Sequence, residues 1–173
     1  IENKNYSAET ICLSLTHLKG IGPKKGRKTL DAIHSTPTAD EMASIASKFV
    51  GKSSSFSTDD VVKALATAED EIERSAAIGI GTVAITSHSY PERLRAAEDA
   101  PLAFFFKGDC SLLHAPYTAA VIGTRHPTAT AKESCRRITR TLVESNISIV
   151  SGLALGCDTI AHSECLNAGG KTI

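Results

Sequence analysis

A chain of 173 residues with 42% hydrophobic content can bury one sizeable core or two small ones, and this composition excludes an intrinsically disordered chain. No apolar run approaches the roughly 20 residues of a membrane span, and the opening IENKNYSAET lacks the basic-then-apolar pattern of a secretory signal, so a cytoplasmic location is expected. Net charge is zero, yet residues 1–35 carry six Lys or Arg against three acids and residues 119–173 six against four, so two basic regions sit inside a neutral total.

Ser7 is a good N-cap, and behind it Ile11, Leu15 and Leu18 recur at three- and four-residue spacing, which predicts a helix from Ala8 to His17. In Leu18-Lys19-Gly20-Ile21-Gly22-Pro23 two glycines permit a tight turn, and the proline suits the first position of a second helix running to about Ile33. Thr38-Ala39-Asp40-Glu41 is a capping box that opens a third helix ending near Gly51. Lys52 to Ser57 is serine-rich and polar, a loop. Val61, Val62, Leu65, Ala68 and Ile72 mark one face of a long acidic helix from about Thr58 to Ala77, closed by Gly79.

At Gly81 the texture changes and a second domain is expected, dividing the chain into 1–78 and 79–173. The runs 82–86 and 102–106 are strand-like and flank a helix-like stretch from Pro91 to Glu98. Residues 119–123 and 147–152 are apolar, too short for helices and suited to strands buried on both faces. Between them the capping box Thr130-Ala131-Lys132-Glu133 opens an amphipathic helix. Strand, helix, strand over about 30 residues is a βαβ unit, with parallel strands and a right-handed crossover. A second helix follows from about Asp158 to Asn167, and Lys171-Thr172-Ile173 reads as the opening of a further strand. The fold expected is α/β: a helical helix-hairpin-helix or SAM-like module, then a Rossmann-like, mostly parallel sheet that is incomplete at the C-terminus.

The five cysteines, Cys12, Cys110, Cys135, Cys157 and Cys165, form no C-x-x-C pair and read as reduced, structural thiols. No metal or cofactor motif is present: there is no H-E-x-x-H, Walker lysine or G-x-S-x-G.

Three segments carry candidate chemistry. Gly20 and Gly22 present backbone N–H groups beside a helix N-terminus, with Lys19, Lys24, Lys25, Arg27 and Lys28 around them, an arrangement suited to phosphate contacts; the alternative is a compact turn with solvated lysines. Gly123-Thr124-Arg125 follows a buried strand, so Arg125 projects at the carboxyl edge of the sheet, where open α/β folds bind ligands. On the next helix Lys132, Arg136 and Arg140 stand four apart with Arg137 beside them, opposite Cys135, Ile138 and Leu142; the stripe is either a binding face or a solvated one. In Ser151-Gly152-Leu153-Ala154-Leu155-Gly156-Cys157-Asp158 a glycine loop meets another helix start, which favours an anion, although it departs from the dinucleotide fingerprint. Asp158 reads most simply as a helix cap, and His162 faces either the loop or the core.

Four strings, Ser89-Tyr90-Pro91-Glu92-Arg93-Leu94, Asp99-Ala100-Pro101-Leu102 with Lys107-Gly108-Asp109, Val121 to Pro127 and SGLALGCDTIAH at 151–162, together resemble the DprA/Smf family of DNA processing proteins. LKGIGPKKGRKTL resembles a helix-hairpin-helix, as in the N-terminal module of many members. The resemblance implies a non-enzymatic protein that binds and protects single-stranded DNA during natural transformation and hands it to a RecA-type recombinase. It places Gly123, Thr124 and Arg125 in the DNA pocket, with Ser151, Gly152, Ala154, Leu155 and Gly156 shaping its floor; the helix stripe adds Lys132 and Arg136 as candidate contacts, and the glycine turn adds Gly20, Gly22, Lys24 and Lys25 as accessory ones. Thr124 stands where the family usually has serine, and Cys157 where it usually has isoleucine. A later glycine-rich turn with a nearby lysine, and the surfaces for homodimerisation and recombinase contact, are expected beyond Ile173. The alternative class is a nucleotide-binding Rossmann-like protein or phosphoribohydrolase, whose P-G-G-x-G-T-x-x-E string does not occur here.

Overall fold

The computed structural model describes residues 5–51 and 55–173, so residues 52–54 of the expected polar loop lie outside the described residues. Its chain divides into two compact units, Ile1–Gly108 and Asp109–Ile173. The expected division near residue 79 falls inside the first of them, at the turn where Gly79 adopts φ 74°.

Four helices come first in that unit: α1 (Ala8–His17), α2 (Pro23–Asp31), α3 (Ala39–Ser47) and α4 (Thr58–Ala77). Each begins where its cap chemistry requires. The Ser7 hydroxyl accepts from the Thr10 N–H at 3.1 Å, Pro23 opens α2, and Thr38 and Glu41 satisfy each other's backbone in a capping box. Leu15, Met42, Val61 and Leu65 form the fully buried centre. Helices α2 and α3 end two to four residues earlier than the periodicity suggests, at Asp31 and Ser47.

At the start of α4 the Asp60 carboxylate accepts from the Ser57 hydroxyl at 2.7 Å and the Ser57 N–H at 2.9 Å. These bonds to the ionised form hold the Asp60 carboxyl below its ordinary value. Because the folded pKa is the depressed one, this cap is fully formed above the unfolded carboxyl value of about 3.9 and is lost as pH falls through the lower folded value. An NMR titration should find Asp60 protonating below the ordinary aspartate midpoint, and Ser57→Ala should bring it back up. An unchanged midpoint in the variant would contradict this.

After α4, β1 (Ile80–Ala84) pairs antiparallel with β2 (Ala103–Lys107), Thr82 opposite Phe105. The intervening segment contains only the four-residue α5 (Glu92–Arg95), yet it is pinned by two arginines. Arg95 donates to the carbonyls of Ile85, Ser87 and Tyr90 at 2.6, 2.7 and 3.2 Å, and Arg27 donates to those of Arg95 and Ala97 at 3.0 and 3.2 Å. Tyr90 is completely buried, donates its hydroxyl to the Pro101 carbonyl at 2.8 Å and meets Phe104 edge-to-face at 5.2 Å. Irregular backbone is thus satisfied by side chains where no ladder exists.

In the second unit a 3-10 turn at Cys110–His114 leads into β3 (Thr118–Ala120), which pairs in parallel with β4 (Ser148–Val150) across the crossover helix α6 (Ala129–Glu144). Beyond α7 (Cys157–Asn167), Thr172 pairs in parallel with Ile149, so a third strand begins at the sheet as expected. Val121, Cys135, Ile149, Cys157, Ala161 and Cys165 make the core, and the cysteines are free thiols. Two helix details differ from expectation. The N-cap of α6 is Thr128, whose extended backbone lets its hydroxyl accept from the Ala131 N–H at 3.2 Å; Thr130 lies inside the helix. Ile138, expected on the apolar face, is 52% exposed, because Cys135 and Thr139 take the inward positions. No helix among the described residues is long and apolar enough to cross a membrane.

Candidate nucleic-acid interface

Strands in a parallel pair end at one edge, and the loops that leave β3 and β4 therefore meet there. Their meeting is held from beneath by Asp158. Its buried carboxylate accepts from the Gly123 N–H at 3.3 Å and the Gly152 N–H at 3.1 Å, bridging the two loops. Asp158 is therefore not a cap: Gly156 occupies that position, at φ 94°, and Asp158 is the second residue of α7. Beneath the loops Ser151 donates its hydroxyl to the Val121 carbonyl at 2.7 Å, and the Cys157 N–H donates to the Thr124 carbonyl at 3.1 Å.

The glycines are required by close approach. A Cβ at Gly123 would stand 2.7 Å from the Cys157 sulfur, one at Gly152 would stand 2.9 Å from the Asp158 carboxylate, and one at Gly156 would stand 2.4 Å from the Thr124 carbonyl oxygen. Real Cβ atoms do not approach so closely.

Above this scaffold lies an open groove of about 490 Å³, lined by Arg125, His126, Pro127, Lys132, Arg136, Leu155, Gly156, Thr159 and Ile160. Five of the residues singled out from sequence meet there: Arg125, Lys132, Arg136, Leu155 and Gly156. Gly123, Thr124, Ser151, Gly152 and Ala154 do not line it; they hold the loops behind it. His126, Pro127, Thr159 and Ile160 were not anticipated, although His126 and Pro127 directly follow Arg125 and the other two lie one turn into α7. No acid lines the groove. Among the described residues Arg125 and Lys132 have no ion-pair or hydrogen-bond partner for their side chains, and Arg136 has only Glu133, at 3.6 Å. The stripe does not continue to Arg140, which donates to Glu164 on α7 at 2.5 and 2.9 Å and so ties the two helices together. His162 faces the core side, its Nδ1 2.6 Å from the Thr172 hydroxyl.

The glycine turn in the first unit is differently built. Gly20 takes φ 88° and Gly22 caps α2, but Lys24 is ion-paired to Glu98 and Lys25 donates to the Gly20 carbonyl at 3.0 Å. Arg27 is occupied as described above. A depression of about 840 Å³ near the turn includes Lys19, Gly20 and Lys63 together with Asp60, and neither Lys24 nor Lys25 lines it. No group of His, Cys, Asp and Glu among the described residues is placed to hold a metal ion.

Residues 81–173 match the protein family described as DNA recombination-mediator protein A. The DNA processing protein DprA of Bacillus subtilis (strain 168) is 39% identical over 95 residues, covering 55% of this chain and 32% of that protein. Protein Smf of Borreliella burgdorferi is 37% identical over 89 residues, covering 50% of the chain and 27% of the relative. The X-ray structure of DNA processing protein A from Streptococcus pneumoniae superposes with a TM-score of 0.71 at 26% identity, over 99% of this chain and 57% of that one. The chain thus spans about a third or less of the curated relatives it matches and just over half of the solved structure.

Proposed function

This chain belongs to the DNA recombination-mediator protein A family, and from that membership and the groove we propose that it binds single-stranded DNA without catalysing a reaction. The observation that carries the reading is the groove's charge: Arg125, Lys132 and Arg136 line it with no acid among its walls, at the edge where parallel sheets receive ligands. Such cations neutralise backbone phosphates and carry no sequence information. In the whole protein, the bound strand would be protected in the cytoplasm during DNA uptake and passed to a RecA-type recombinase, and the whole protein would form a homodimer. We assign 79–173 to the DNA-binding part and 1–78 to an accessory helical module.

Mononucleotide binding is not favoured. The N–H groups of Gly123 and Gly152, which a pyrophosphate would need, are given to the protein's own Asp158 carboxylate.

The test is fluorescence anisotropy with a single-stranded oligonucleotide over a salt series. Three phosphate contacts should give a log–log salt slope of about −2. Absence of binding, or affinity independent of salt, would sink the proposal. In the same assay Lys24→Ala with Lys25→Ala should change affinity by less than about twofold, since neither lysine lines the groove. A loss exceeding that caused by Arg125→Ala would move the binding to the helical module.

A further inference from the structure

One wall of the groove is not charged. Leu155 is 75% exposed and lines it beside Pro127 and the partly buried Ile160, facing a space otherwise bounded by Arg125, His126, Lys132 and Arg136. An exposed leucine on a surface is unremarkable by itself, but the backbone that carries this one is held on both sides. Gly156, at φ 94°, brings the chain directly against the backbone oxygens of Thr124 and Arg125, so that Leu155 is set next to the Arg125 loop. The Thr159 N–H and hydroxyl both donate to the Ala154 carbonyl, at 3.1 and 2.7 Å, and tie down the residue before it. An apolar side chain held in a cationic groove fits a ligand that offers negative charge and an apolar face within the same few ångströms. An unpaired nucleotide does this. A duplex presents its phosphates but keeps its base faces stacked inside.

We infer that Leu155 is a nucleobase-contacting residue that makes the groove prefer unpaired DNA, its side chain covering a base face while Arg125, Lys132 and Arg136 take the adjacent phosphates. This rests on the proposed function above. Exposed bases lose water-accessible apolar surface against Leu155 and Ile160, a contribution that is independent of salt and of base identity. The cations supply the salt-dependent remainder.

The experiment compares two probes of about 12 nucleotides: oligothymidylate, and the same backbone with tetrahydrofuran abasic units throughout. The wild-type chain should bind oligothymidylate about fivefold more tightly than the abasic strand, the size expected for covering one base face. Leu155→Ala should abolish that ratio by weakening oligothymidylate alone, with the abasic affinity and salt slope unchanged; Leu155→Phe should restore or raise it. Arg125→Ala should weaken both probes together. A wild-type ratio near one, or a ratio that survives in Leu155→Ala, overturns the inference and leaves the proposed function standing. Failure of wild type to bind either probe overturns both.

Discussion

Arg125→Ala should lower affinity for single-stranded DNA about tenfold and make the log–log salt slope about 0.7 less steep, the share of one phosphate contact on a single strand. Arg125 is the strongest candidate because nothing in the protein competes for it: its side chain is exposed and lacks a partner among the described residues. For the same reason its removal should leave the melting temperature unchanged, which separates loss of binding from loss of fold. Arg125→Lys keeps the charge but not the planar two-pronged donor, and should fall between wild type and alanine. Wild-type affinity and slope in Arg125→Ala would show that DNA does not pass through this groove.

Asp158→Ala should destabilise the second unit by about 2 kcal/mol, from two part-buried backbone hydrogen bonds lost at about 0.5–1 kcal/mol each and the loss of a negative charge in the first turn of α7. Urea unfolding, with amide exchange at Gly123 and Gly152 as local reporters, measures this. Asp158→Asn should recover only part of the loss, since its NH2 would face one of the two N–H groups. DNA affinity should fall as well, although Asp158 never reaches the ligand, because the loops carrying Arg125 and Leu155 lose their common tie. A cost below about 1 kcal/mol would mean that water satisfies both amides and that the bridge is incidental.

Local signals are legible in the sequence. Helix α4 runs from Thr58 to Ala77 as its apolar face and its closing glycine indicate, because both are local signals. Helix α6 starts two residues before the Thr130 capping box suggests, since Thr128 and Thr130 both have cap chemistry and only backbone conformation separates them. The runs 82–86 and 102–106 overlap the strands at 80–84 and 103–107, the first lying two residues earlier than its run, but their antiparallel pairing is a long-range choice that no run encodes. Asp158 shows the limit most clearly: one of its partners lies 35 residues away, so the adjacent helix start made a cap the simpler reading. Arg125, Lys132 and Arg136 were legible as a cationic set because a strand end and a helical repeat fix their directions. Thr159 and Ile160 were not, since they enter the groove only through the turn at Gly156.

The groove separates two kinds of position. Gly123, Gly152 and Gly156 have neighbours so close that a single added carbon displaces backbone, sulfur or carboxylate, whereas the side chains of Arg125 and Lys132 have no polar partner among the described residues. Function and stability usually compete for the same residues. If the proposed DNA binding holds, affinity can be strengthened, weakened or retuned through the lining side chains while the loops beneath remain fixed, so descendants of this chain would explore different strengths of DNA attachment without first acquiring compensating mutations in the core.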